Sequence, residues 1–275
     1  LQRSYNVAVA DSFIVWNQMM KNHLLRIFPD VNPENVSVIG APRLDYFWHS
    51  DQIPSKETLY RFLRLENVKR PLIHFSTTEL YPMDYVLKAV HEAMQTGELT
   101  GNPYLYASVH PGGTMKRHQD LEKYGARLRY SFGRQDTPLV PAFSYTPTEA
   151  DMYLLVALFK YAAVLVNHSS STALESLIAG TPVINVAYGR PFDWWRWYRS
   201  MVYRDFKQHY NDLIKDGATC LVKNKHQLVD GLKEALANPR WNEEVRHRTV
   251  KRMITTTDGT ASQQVLAEIM KRAQA

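Results

Sequence analysis

Short runs of β-branched and other apolar residues recur along the chain at VSVIG (36–40), PLIHFST (71–77), YLYASVH (104–110), RLRYSF (127–132), VLVNH (164–168) and PVINVAY (182–188). Amphipathic segments separate them at 55–66, 83–97, 114–124, 148–162 and 171–179. Several of the short runs are almost wholly apolar, the pattern of strands covered on both faces by helices. Strand and helix alternate, which predicts an α/β fold with a doubly wound parallel sheet.

Helix ends are marked chemically. In Thr146-Pro147-Thr148-Glu149 a hydroxyl is expected at the cap, proline at the first helical position and glutamate at the third. Gly180-Thr181-Pro182 reads as the stop after the helix over 171–179. Residues 1–45 differ in texture: a strand-like piece and the amphipathic NQMMKNHLLRIF lead into VIGAPRLDYF. The last stretch, DGTASQQVLAEIMKRAQA (258–275), reads as a capped amphipathic helix. The expected division is therefore 1–45 as closing elements of a preceding domain with a linker, 46–257 as the main domain, and 258–275 as a terminal helix.

Composition narrows the class. At 275 residues, 45% apolar and 22% charged, the chain can bury a sizeable globular core. A single cysteine, Cys220, forbids an intrachain disulfide and points to a reducing compartment. The apolar stretch MYLLVALFKYAAVLV is interrupted by Lys160 and too short to span a bilayer. The net charge of +6 favours anionic partners, but it is too diffuse for nucleic acid, and no zinc-finger or recognition-helix pattern accompanies it. No metal-ligand spacing is recognisable, so no metal or other cofactor is expected.

The chemistry concentrates in NHSSSTALE (167–175). Small hydroxyls at a strand-to-helix junction let a phosphate approach the backbone N–H groups and add donors of their own. Glu175, farther along the helix, is an acceptor suited to a ribose diol. A second reading stays open: Thr172-Ala-Leu-Glu175 fits a capping box that needs no ligand. No Walker loop and no GxGxxG fingerprint is present.

The run VLVNHSSSTALESLIAGTPVINV resembles the donor-site segment of GT-B glycosyltransferases. VSVIGAPRLDYF resembles the "GxPRxD" passage of capsule, teichoic-acid and surface-carbohydrate transferases, SVHPGG their His-Pro motif, and DGTASQQVLAEI their closing "DGxAS" helix. The resemblance implies a Rossmann-like domain forming the C-terminal half of a GT-B fold, with the terminal helix packing toward an N-terminal domain. It implies that the chain begins within that N-terminal, acceptor-binding domain, and so is inactive alone. Ser169, Ser170, Ser171 and Thr172 then match the phosphate-binding turn and Glu175 the ribose ligand. His110 matches the His-Pro motif, as donor contact or catalytic group. Thr77 and Thr78 match a loop near the donor phosphates, and His168 would be a second cationic contact.

The function so implied is donor binding for a glycosyltransferase of surface polysaccharide assembly. Its partners would be a nucleotide sugar and a glycan or lipid-linked acceptor. Its place would be the cytoplasm, with peripheral contact at the inner membrane face as an option. The alternatives are a UDP-sugar 2-epimerase and a non-catalytic donor-binding subunit of a split transferase. Arg43 and Asp45 of "PRxD" are expected either as a structural pair or as ligand contacts. Trp194, Trp195 and Trp197 are expected to pack against another domain or meet an acceptor or a membrane. Arg190 and Asp193 are placed within reach of the donor sugar.

Overall fold

The structure, a computed structural model, describes residues 10–79, 82–132, 146–190 and 210–274. The tryptophan-rich stretch, with Asp193, Trp194, Trp195 and Trp197, lies outside them. Two compact units divide the chain: Leu1–Asp51 with Arg248–Ala275, and Gln52–His247.

The larger unit holds a six-stranded parallel sheet. Its strands are β3 (Leu72–Thr77), β4 (Tyr104–Val109), β5 (Ala126–Tyr130), β6 (Val164–Asn167), β7 (Val183–Val186) and β8 (Cys220–Val222). Their order is β5-β4-β3-β6-β7-β8. The chain winds from β3 outward to β5, returns to the middle, and winds the other way from β6 to β8. That reversal puts a topological switch point between β3 and β6.

Helices cover both faces. Helix α3 (Asp84–Gln95) and α7 (Lys225–Ala237) pack with Ile73, Phe75, Val164 and Val166 on one face. Helices α2 (Lys56–Phe62) and α4 (Glu149–Tyr161) pack with Leu72 and Tyr106 on the other. Alternate residues of β3 serve opposite faces, as the pleat requires. Helices α5 (Thr172–Ile178) and α6 (Asn211–Ile214) complete the unit, and α8 (Glu243–Met253) runs across the division of the chain. This is the expected doubly wound α/β architecture.

Two local expectations are corrected. The cap of α4 is Thr148 rather than Thr146: its hydroxyl accepts from the Asp151 N–H, and the Asp151 carboxylate accepts from the Thr148 N–H at 2.9 Å. Asp151 thereby supplies the third-position acid that completes a capping box, which Glu149 cannot reach. The 114–124 segment forms a 3-10 helix, Met115–Tyr124, closed by left-handed Gly125. Gly180, at φ +82°, ends α5 as expected.

The smaller unit contains β1 (Phe13–Val15) paired in parallel with β2 (Val36–Val38), helix α1 (Gln18–Ile27) and helix α9 (Ala261–Ala273). Val15, Leu24 and Val36 form its core. Here the "GxPRxD" and "DGxAS" stretches meet. The buried Asp45 carboxylate accepts the N–H groups of Ala261 at 3.1 Å and Ser262 at 2.8 Å, and so caps α9 from a distant part of the chain. Thr256 Oγ1 donates to Ile39 O. Gly40 lies at φ +131°, where a Cβ would stand 2.9 Å from Thr256 Cβ, so both backbone angle and space demand glycine. Arg43 is exposed on the same turn.

Candidate functional site

The carboxyl ends of β4, β3 and β6 lie side by side, and the sequence-chosen residues fall at those ends. Thr77 closes β3 and is fully buried; Thr78 follows, half-buried. Two residues beyond the paired Phe75 and Val166 stand Thr77 and His168, one on each side of the switch point. In open α/β sheets this is where ligands bind, because the loops diverge there and leave a crevice.

The β4 loop is tied to β3. His110 N–H donates to Thr77 O at 3.0 Å, and Gly113 N–H returns to His110 O at 2.8 Å. His110 Nδ1 accepts from Gly112 N–H at 3.0 Å. Partial burial holds the ring below its usual pKa, so the neutral imidazole carries its proton on Nε2, a donor suited to a phosphate or sugar oxygen. Glu79 pins the same loop, accepting from Thr114 N–H at 3.0 Å and pairing with Arg117. The Thr114 hydrogen bond, aided by Arg117, holds the Glu79 carboxyl below its usual range. Nearby His118 is buried, and its Nε2 has no partner among the described residues.

The serine turn differs from the capping-box reading. Helix α5 is capped at Ser171, which makes Thr172 its first residue and Glu175 its fourth. A box would need the partners three apart across the cap, so the register is off by one. The Thr172 N–H donates instead to Ser170 Oγ at 3.4 Å, and Thr172 Oγ1 accepts from Asn167 Nδ2 at 3.2 Å. Ser169 and Ser170 are half-buried, Ser171 is exposed, and Glu175 is buried. Any diol that Glu175 holds must reach below the surface.

His168, expected as a second cationic contact, is buried instead of exposed to a ligand. Its side chain is buried, with Nδ1 2.8 Å from Val186 O and Nε2 3.1 Å from the Tyr85 hydroxyl. Burial pulls its pKa below the usual value despite the two carbonyls that face it. The ring is a buried brace under the turn. Arg190 donates to Asp84 at 2.9 Å, at the first residue of α3.

Three residues went unnoticed in the sequence. Asn167 and Asn185 are register partners at corresponding places in β6 and β7, both fully buried. Asn185 Nδ2 lies 2.9 Å from His168 O and 2.9 Å from the Tyr210 hydroxyl, and it also donates to Asn167 Oδ1. The signal was an amide interrupting each of two apolar runs, VLVN and VINV. Tyr210 gave no signal, because only the fold brings it there.

Among the described residues, one group places three metal-ligand atoms within 4.8 Å of one another: Glu98, His226 and Asp230, all exposed. The Lys233 ammonium already sits 3.2 Å from Glu98. No described helix is long and apolar enough to cross a membrane.

No family model matches the chain. No curated protein matches its sequence. Solved structures do match in fold. Wall teichoic acid polymerase TagF aligns with TM-score 0.62 at 15% identity over 96% of this chain. The UDP-GlcNAc 2-epimerase of Neisseria meningitidis, bound to UDP-GlcNAc, aligns with TM-score 0.58 at 11% identity over 96%. The S. aureus MnaA structure with UDP aligns with TM-score 0.58 at 15% identity over 97%. The chain spans 58% of the TagF chain and 62% of each of the other two. The fold is GT-B-like, as in these three structures.

Proposed function

We propose that the chain is the donor-binding portion of a glycosyltransferase that uses a nucleotide-activated sugar in surface polysaccharide assembly. One observation carries this reading: the serine turn, Thr77 and the His110 loop converge at the switch point of a parallel sheet. Ser169, Ser170, Ser171 and Thr172 face the donor diphosphate, Glu175 takes the ribose diol, and Thr77, Thr78 and His110 border the phosphates. Hydroxyls, backbone N–H groups and the His110 Nε2–H stabilise the departing diphosphate electrostatically, with no metal in the scheme. The acceptor, a glycan or a lipid-linked glycan, is held by a second domain or a partner subunit.

A 2-epimerase is the second reading, favoured by the fold shared with an epimerase bound to UDP-GlcNAc. Calorimetry with UDP, CDP, CMP, GDP and ADP tests the donor site. Selective binding of one nucleotide supports it; binding of none removes it. Formation of the 2-epimer from UDP-GlcNAc, followed by NMR, would replace the transferase reading with the epimerase.

A further inference from the structure

Strands β6 and β7 are apolar except for one amide each, Asn167 and Asn185. Both are fully buried and sit in register. Burying an amide is costly unless every polar atom is paired. This pair is not economical. Asn185 has two N–H hydrogens but three acceptors around them, namely Asn167 Oδ1, His168 O and Tyr210 Oη. Its own Oδ1 is buried and has no partner among the described residues. Two apolar residues would fill the space at less cost, so the amides serve a shape that apolar residues cannot impose.

That shape belongs to the serine turn. Asn185 holds the carbonyl of His168, Asn167 holds the Thr172 hydroxyl, and the Tyr210 hydroxyl bonds to the Asn167 side chain and the Ser170 backbone. The three side chains grip residues 168, 170 and 172 from beneath. Tyr210 is 5% exposed, and burial raises its phenol well above the ordinary range, so it stays protonated.

We propose that Tyr210 and Asn185 are positioning residues for the donor diphosphate: they fix the serine turn in the form that meets phosphate without touching the ligand themselves. The inference rests on the donor-site reading above. It assigns Tyr210, far from the turn in sequence, a part in diphosphate affinity and none in recognition of the nucleoside.

The test uses the whole chain and two isosteric variants. Tyr210→Phe removes one hydroxyl, and Asn185→Asp exchanges two N–H donors for an acceptor. Affinity for UDP, or CDP if the panel selects it, is measured by calorimetry; affinity for the corresponding nucleoside is measured by NMR titration. Expected is a roughly tenfold loss of diphosphate affinity in Tyr210→Phe, more in Asn185→Asp, with nucleoside affinity unchanged in both. Unchanged diphosphate affinity with a lowered Tm would overturn the inference and leave the network purely structural. Equal losses for nucleoside and diphosphate would also overturn it, since the whole pocket would then have changed. A wild-type chain that binds no nucleotide removes the donor-site reading itself, and this inference with it.

Discussion

The Asp45 carboxylate accepts the Ser262 N–H at 2.8 Å across 217 residues of chain. Its other oxygen takes the Ala261 N–H, so one buried side chain satisfies two of the open donors at the start of α9. The aspartate of "PRxD" and the helix of "DGxAS" are therefore two halves of one joint.

Asp45→Ala should accordingly destabilise the protein. Charge-assisted hydrogen bonds of this kind contribute about 1.5–3 kcal/mol. Chemical denaturation should show a lower midpoint, with nucleotide affinity unaffected. An unchanged midpoint would show that water replaces the carboxylate without loss.

The two threonines before α4 give a sharper contrast. Thr148→Ala removes a formed capping box and should cost about 1 kcal/mol. Thr146→Ala, at an exposed position outside the helix, should stay within about 0.5 kcal/mol of wild type. Thermal melts of the two variants side by side would decide the cap.

His74 sets an acid sensitivity. Its ring is buried against Tyr106 and Phe159, with Nε2 2.7 Å from Ser108 Oγ, and burial lowers its pKa from 6.5 to about 3. Between those values the unfolded chain binds more protons than the folded one. Stability from this group is therefore complete above pH 6.5 and falls as the pH drops toward 3, by up to about 1.4 kcal/mol per unit. His74→Leu should flatten the stability profile between pH 6.5 and 5. Buried His168 pulls the same way, so the slope should shrink but not vanish.

Glu175→Ala should weaken nucleotide binding by roughly 1.5–3 kcal/mol through lost hydrogen bonds to the ribose. Calorimetry with the selected nucleotide reads this directly. Full affinity in the variant would exclude the ribose role.

The strands and helices of the larger unit were readable because their signals are local. Apolar runs such as VLVN and amphipathic segments such as 83–97 obey periods set by the backbone itself. The serine turn was readable for the same reason, as small hydroxyls between a strand and a helix. Register was less so: the cap of α4 moved by two residues, because Thr146 and Thr148 both offer a hydroxyl and the acid three residues on selects between them. The cap of α5 moved by one, so the Thr172–Glu175 box does not form.

What the sequence determined by itself was the alternation of elements, the parallel sheet and the hydroxyl-rich junction between β6 and α5, because each follows from neighbours along the chain. Only the tertiary structure decided that Asp45 caps α9, that His168 is a buried brace, and that Tyr210 and Asn185 lie beneath the serine turn. Those relations join residues far apart in sequence, and their energies come from burial and hydrogen bonding that exist only once the sheet has formed.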